Sequence, residues 1–461
     1  MEKTLQENKM GTARIAPLLF GMAVPMMISM LVQAFYNVVD SIFVAQISEN
    51  ALSAVSLAFP LQNIMIAFGG GTALGMNAIL SRALGEKNFN EANRAANTGI
   101  FLSVISALVC ALIGVFLSRP FFEVMTKNTE IVEYGTAYAS ICLIFSIGIF
   151  SQFCFERLLQ STGKTTHAMV CQLIGAVTNI ILDPIMIFEK GEVIFGTFTM
   201  PIGLGFDVAG AAWATIIGQI VAATVAIIMN KAVNHELKLS LRKIRLDREI
   251  AAKIYKIGFP SILMQSVGSV MNFCLNSILL TFSTTATAVF GAYFKLQSFI
   301  FMPIFGLNNG MIPIIAYNYG ARRPDRVKTT VKLSIISAMS IMALGTLAFE
   351  LIPETLLGFF NASNEMLSLG IPALKIIACH FILAGFCIIS VSVCQAIGNP
   401  FHSLIVSLCR QLGVLIPSAW ILSKFGNLNL VWLAFPIAEI VSILLCLMFL
   451  KKTFSKINAR V

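Results

Sequence analysis

A chain of 461 residues that is 57% hydrophobic and 12% charged, with a mean hydropathy of +0.84, is too apolar for an ordinary soluble domain. The net charge of +10 would suit a nucleic-acid partner if it were gathered in one patch, but the Lys and Arg residues lie between apolar runs. That distribution excludes nucleic acid and points to a membrane.

Apolar runs long enough to cross a bilayer recur from Ile15 to Leu450. In chain order they predict twelve transmembrane helices, at about 14–44, 52–81, 96–118, 132–156, 166–189, 207–230, 252–282, 285–317, 329–351, 367–396, 402–424 and 428–450. Several exceed the roughly 20 residues a crossing needs, so tilt or helix beyond the bilayer is expected. Lys3, Lys9 and Arg14 before the first run resemble a signal peptide, but the run is too long and no small-residue cleavage site follows, so it is span 1.

With both termini placed inside, 25 of the 32 Lys and Arg residues fall at inner loops and four, Arg119, Lys127, Lys190 and Lys424, at outer ones. This is the positive-inside bias of a multi-pass protein of a bacterial plasma membrane with cytoplasmic ends. The basic linker 231–251 is expected to touch anionic membrane lipid. All ten cysteines fall within spans, which fits small buried apolar residues; no disulfide, metal site or cofactor is expected.

The two halves repeat at a spacing of 235 residues. Pro25 answers to Pro260, Phe59 to Phe294, Gly75-Met76 to Gly310-Met311, Gly85 to Gly320, Gln160 to Gln395 and His167 to His402. Six spans per half return the chain to its starting side, so the halves share one orientation. The expected fold is an all-α membrane protein of twelve helices in two six-helix lobes, related by a pseudo-two-fold axis along the membrane normal. The lobes are residues 1–230 and 252–461, joined by the linker. Such bundles hold a substrate between lobes that rock around it, which makes a transporter the first reading.

A carboxylate inside a membrane helix costs about 2.5–3.5 kcal/mol on insertion scales, so Asp40 and Asp183 need a reason. Both lie within roughly 10 Å of the outer ends of their spans. Gln33, Tyr36, Asn37 and Asp40 follow an i, i+3, i+4, i+7 pattern, and Gln172, Asn179 and Asp183 share a face of span 5. Span 6 brings Thr215 to a similar level with Gln219 a turn deeper, and Pro184 frees the carbonyl of Ile180. Two readings stand: a cation site, or a hydrogen-bonded network joining spans 1, 5 and 6. The repeat positions of Asp183 and Asn179 hold Ser418 and Val414, and Asn276 stands near that of Asp40. A purely structural network would persist in both copies, so ion coupling is placed in the N-terminal lobe.

The C-terminal lobe has its own buried charges, Lys295, Arg410 and Glu439. A mutually satisfied ion cluster is one reading, and contact with substrate, Asn276 included, is the other. The 21 methionines and 36 phenylalanines suit a pocket for varied hydrophobic cations, although most face lipid. Gly69-Gly70-Gly71-Thr72 lacks a lysine and lies inside span 2, so it is not a phosphate loop. No ATPase motif or nucleophile–base pair appears, so an enzyme is not expected and the energy must come from an ion gradient.

At these residues the chain resembles the multidrug and toxic compound extrusion (MATE) family, most closely its MepA-like and DinF-like bacterial branches. The matching stretches are YNVVDSIFVAQIS at 36–48, GGGTALGMNAILSRALGEKN at 69–88, TNIILDPIMIF at 178–188, VAGAAWATIIGQ at 208–219 and QAIGNPFHSLIVSLCRQ at 395–411. The resemblance implies a monomeric antiporter exporting organic cations against Na⁺ or H⁺, with the cation site on Asp40, Asn179, Asp183 and Thr215. Ala45 stands where the family usually has a glycine. The runner-up is a lipid-linked precursor flippase of the same superfamily, which would want extra spans and a basic cavity.

Overall fold

The computed structural model describes residues 8–458 except 195, 197, 238, 240–243 and 361. Of the basic residues counted above, Lys3, Lys238, Arg242, Lys243 and Arg460 lie outside the described residues.

Among the described residues, ten helices are long and apolar enough to cross a membrane, and two bent helix pairs, each taken as one span, bring the total to twelve. In order, the first half holds α1 (Lys9–Thr12), α2 (Ile15–Ile47), α3 (Glu49–Gly85), α4 (Phe89–Met125), α5 (Thr129–Ile144), α6 (Ile147–Ser161), α7 (Thr165–Ile187) and α8 (Asp207–Val233). The second half holds α9 (Arg248–Leu280), α10 (Thr284–Gly320), α11 (Pro324–Leu351), α12 (Pro353–Gly358), α13 (Asn364–Ala378), α14 (Phe381–Ala396), α15 (Pro400–Leu408), a π-helical stretch Cys409–Leu415, α16 (Ile416–Ser423), α17 (Leu428–Trp432) and α18 (Ala434–Asn458). Each expected span has its helix or helix pair. Expected spans 4 and 10 are each broken, α5 to α6 by 44° and α13 to α14 by 48°. The breaks fall at repeat-equivalent positions, so the bend belongs to the duplicated unit.

Two features were not legible from hydropathy. The loop between α7 and α8 contains an antiparallel hairpin of β1 (Val193–Ile194) and β2 (Phe198–Thr199). The π-helical stretch interrupts span 11 at Arg410, the type of distortion that frequently marks functional positions.

The chain divides into two compact units. The first holds Ile28–Ala83 and Asn88–Phe259; the second holds the described residues up to Met27, Leu84–Lys87 and Pro260 onward. The division thus cuts α2 two residues after Pro25 and α9 just before its repeat partner Pro260. These helix interiors are where an imino acid removes a backbone hydrogen bond.

Within the first unit, aliphatic and aromatic side chains of α2, α3, α4, α5, α7 and α8, with Phe188 just after α7, form one cluster that includes Val44, Phe122 and Tyr138. At the start of α9, Arg94 pairs with Asp247 at 2.6 Å and Glu249 at 3.0 Å, and Lys253 with Glu91 and Glu249, each at 2.9 Å. In the second unit, Asn318 Nδ2 donates to the Met10 carbonyl at 2.9 Å, and Arg326 Nη2 donates to the carbonyls of Met10 and Ala13 at 3.0 and 2.7 Å. The orphan carbonyls at the end of α1 are thereby satisfied.

Candidate functional site

The site is built on a close approach of α7 and α8. A Cβ on Gly175 would stand 2.7 Å from the Ala222 Cβ and 2.9 Å from the Gly218 carbonyl oxygen, and one on Gly218 would stand 2.8 Å from the Gly175 carbonyl oxygen. Only glycine at both positions lets the two backbones touch, a packing mode that membrane helices rely on where burial against water cannot drive association. One turn beyond Gly175, Asn179 consequently reaches across to α8.

Asn179 Nδ2 donates to Asp183 Oδ1 at 3.1 Å and to Thr215 Oγ1 at 3.4 Å. Asp183 is fully buried and Asp40 of α2 is 9% exposed. Asp183 lies within electrostatic reach of the Asp40 carboxylate. Asp40, Asn179, Asp183 and Thr215 are therefore brought together on three helices, as expected.

The hydrogen-bond inventory around them is lopsided. Asp40 Oδ1, Asn179 Oδ1, Asp183 Oδ2 and Gln219 Oε1 are buried and accept no hydrogen bond. All four are acceptors, and an unmet buried acceptor costs about 1–3 kcal/mol. What such a set lacks is positive charge. Hard oxygen donors of this kind suit an alkali cation or a proton and not a soft transition metal.

Gln33, Tyr36, Gln172, Asn179, Thr215 and Gln219 line a single small cavity of about 40 Å³. Gln172 organises one wall: its Nε2 donates to Gln33 Oε1 at 2.9 Å, and its Oε1 accepts from Ser29 Oγ. Asn37, expected on this face, is exposed and does not line the cavity; one residue past Tyr36, it is rotated by about 100° around the helix.

Sequence reasoning missed two residues. Gln152 of α6 also lines the cavity, and one turn further Glu156 is 5% exposed, with Oε1 accepting from Gln152 Nε2 at 2.9 Å. Glu156 closes the apolar run 132–156 and passed for its polar boundary. The signal available was a carboxylate one turn from a glutamine in an otherwise apolar segment.

In the second unit Arg410 and Glu439 form an ion pair, Nη1 to Oε2, at 3.6 Å. Glu439 is 2% exposed and its Oε1 has no partner. The expected three-membered cluster does not form. Lys295 is exposed, makes no ion pair among the described residues, and holds its ammonium 6.0 Å from the centre of the Phe360 ring, because its position on α10 faces away from the buried face that carries Tyr293. Asn276 is half-buried on α9.

The MatE family model matches the chain twice, over residues 25–185 and 260–421, at the spacing of the internal repeat. The chain is 27% identical over 412 residues to the multidrug export protein MepA of Staphylococcus haemolyticus, covering 89% of this chain and 88% of that protein. It is 25% identical over the same shares to MepA of Staphylococcus aureus strain MSSA476. Among solved structures, a multidrug resistance MATE family transporter of the MOP superfamily in an outward-facing conformation matches with a TM-score of 0.91 and 25% identity, over 99% of this chain and 100% of the other. A MOP superfamily transporter from Pyrococcus furiosus, described by the reverse polarity of its binding pocket, matches with a TM-score of 0.90 at the same identity and coverage. Twice-matched by one family model over most of its length, the chain belongs to the MatE family of membrane transporters.

Proposed function

We propose that this chain is a multidrug exporter of the bacterial plasma membrane, a monomer with cytoplasmic termini that moves amphipathic, mostly cationic compounds outward in exchange for Na⁺ or H⁺ by alternating access. The reading is carried by one observation: four buried acceptor oxygens around Asp40 and Asp183 have no donor. The similarity to MepA supports the substrate class. Asp40, Asn179, Asp183 and Thr215 hold the coupling ion, while Gln33, Tyr36, Gln172 and Gln219 supply neutral dipoles along the cavity that solvate it without fixing a second charge. Arg410 and Glu439 serve as a structural pair in the second unit. A flippase for a pyrophosphate-bearing lipid is disfavoured by a cavity that no basic side chain lines and whose unmet atoms, Asn179 Oδ1 and Gln219 Oε1, are acceptors.

Coupling requires that ion and drug bind in opposition. A cationic drug and a bound ion both lean on Asp40, and linkage makes their antagonism reciprocal. A coupling of about 1–3 kcal/mol, typical of linked sites, changes drug affinity by roughly 5- to 150-fold. The test is equilibrium binding of ethidium to the purified protein across pH, with and without Na⁺, beside ethidium efflux from vesicles with Na⁺ and pH gradients imposed separately. Affinity falls as pH is lowered or Na⁺ raised, and Asp40→Asn flattens the dependence. An affinity indifferent to both ions refutes the coupling.

A further inference from the structure

We propose that Glu156 is a second proton-exchange site, at the far end of the polar cavity from Asp40 and Asp183, through which a coupling proton leaves toward the cytoplasmic turn between α6 and α7. The proposal rests on the proton form of the exporter reading above and specifies the route its ion takes.

Glu156 is buried inside a membrane-spanning helix and accepts a hydrogen bond from one neutral amide, Gln152 Nε2. A carboxylate kept for structure alone is normally satisfied by several donors, since an ionised group in this setting costs about 2.5–3.5 kcal/mol. Among the described residues Glu156 has one donor, with Arg157 within electrostatic reach but making no ion pair with it. That donor, Gln152, lines the cavity together with Asn179 and Thr215. Ser161 and Thr165 flank the turn between α6 and α7. Counted from that turn, Glu156 is five residues up α6 and Asp183 eighteen up α7, an axial separation of about 20 Å at 1.5 Å per residue. Gln152, which donates to Glu156, and Asn179, which donates to Asp183, thus line one cavity, and the two carboxylates stand at different depths beside it.

The groups around Glu156 are consistent with this role. Tyr36 of α2, which lines the cavity, lies within electrostatic reach of Asp40, Asp183 and Glu156 alike. Cys171 of α7 also feels the charge of Glu156. Arg157, next in the chain, interacts with it electrostatically while its Nη1 donates to Gln160 Oε1 at 2.9 Å. In the transfer, the carboxyl O–H bond at the outer pair breaks, an O–H bond forms on the Glu156 carboxylate, and the proton then leaves Glu156 to bulk water as hydronium. No electron changes hands. While protonated, Glu156 is neutral and removes a negative charge from the inner end of the cavity; once deprotonated, it restores there a charge that attracts an incoming cationic drug.

The test uses the purified full chain. Infrared difference spectra between acid and neutral pH should show a titrating carboxyl band that Glu156→Gln removes and that Asp40→Asn and Asp183→Asn retain. In vesicles, Glu156→Gln should slow pH-driven ethidium efflux by about 100-fold and flatten its dependence on internal pH, with Glu156→Asp restoring most of the rate. A Glu156→Gln spectrum that superimposes on wild type, or an efflux rate with an unchanged pH dependence, overturns the proposal. If Glu156→Gln does not accumulate, Gln152→Leu replaces it: the same band should shift when the Gln152 donor is lost, and an unshifted band is equally adverse. Full activity of Asp40→Asn and Asp183→Asn would instead refute coupling at the outer pair, leaving the infrared band to decide the inner site separately.

Discussion

Asn179 shares one amide nitrogen between Asp183 Oδ1, a turn along its own helix at 3.1 Å, and Thr215 Oγ1, across the α7–α8 contact at 3.4 Å. Its own carbonyl oxygen is left buried and unpartnered. The asparagine thus uses its amide hydrogens to orient Asp183 and Thr215 and leaves its acceptor facing no donor.

Asp40→Asn and Asp183→Asn are expected each to abolish drug efflux while leaving the amount of protein in the membrane nearly normal. Neutralising either acid removes an insertion cost of about 2.5–3.5 kcal/mol and, on the proposed function, removes the ion site with it. Efflux assays beside quantitative immunoblots of the membrane fraction check this. Loss of protein in step with activity would mean that the acids serve folding.

The glycine contact makes an opposed pair of predictions. Gly175→Ala puts a methyl group 2.7 Å from Ala222 Cβ and 2.9 Å from a backbone oxygen, so the helices must separate, at about 1–3 kcal/mol. Gly21 on α2 has nothing within 4 Å, and Gly21→Ala should stabilise by about 0.5–1 kcal/mol through helix propensity. Thermal unfolding in detergent should move down for the first and up for the second. An unchanged melting temperature in Gly175→Ala would contradict the backbone contact.

At the polar start of α9, the hydrogen bond from Arg94 holds the Asp247 carboxyl below its usual value of 3.8. A folded-state value lowered in this way stabilises the fold at pH above the unfolded value, and the contribution fades as pH falls through the folded one. The pair is partly exposed, so its worth is about 0.2–1 kcal/mol. Asp247→Asn should therefore melt slightly below wild type at pH 7, and the gap should close below about pH 4 and in about 1 M salt. A gap that persisted in acid would assign the loss to packing and not to charge.

Orientation is open to direct labelling. A cysteine placed at His235 or Lys87, in a background cleared of the ten native cysteines, should resist an impermeant thiol reagent applied from outside, whereas one at Lys127 or Gly191 should react. The reverse pattern would invert the topology and place Asp40 and Asp183 near the cytoplasm.

Much of this architecture was legible in the chain because membrane insertion is governed by one-dimensional quantities. Run length placed twelve spans, since nothing shorter crosses the hydrocarbon. The 235-residue repeat foretold a duplicated unit, and the cost of burying a carboxylate singled out Asp40 and Asp183 before any geometry was known. Periodicity put Gln33, Tyr36 and Gln172 on the cavity, but it also put Asn37 there, because a pattern of i, i+3, i+4 and i+7 covers a stripe broader than the face that a neighbour actually meets.

The tertiary structure decided what depends on distances between helices. Three charges of the second half, Lys295, Arg410 and Glu439, look alike in hydropathy, and only packing separates a pair at 3.6 Å from a lysine turned outward. Glu156 passed for the end of a span until α6 was seen to bury it beside Gln152. The bends between α5 and α6 and between α13 and α14 leave no proline or charge at the break for a reader to find. Sequence composition and spacing dictate which residues must be satisfied inside a membrane; which partner satisfies each is settled by helix faces meeting in three dimensions, where a rotation of about 100° per residue separates a ligand from a bystander.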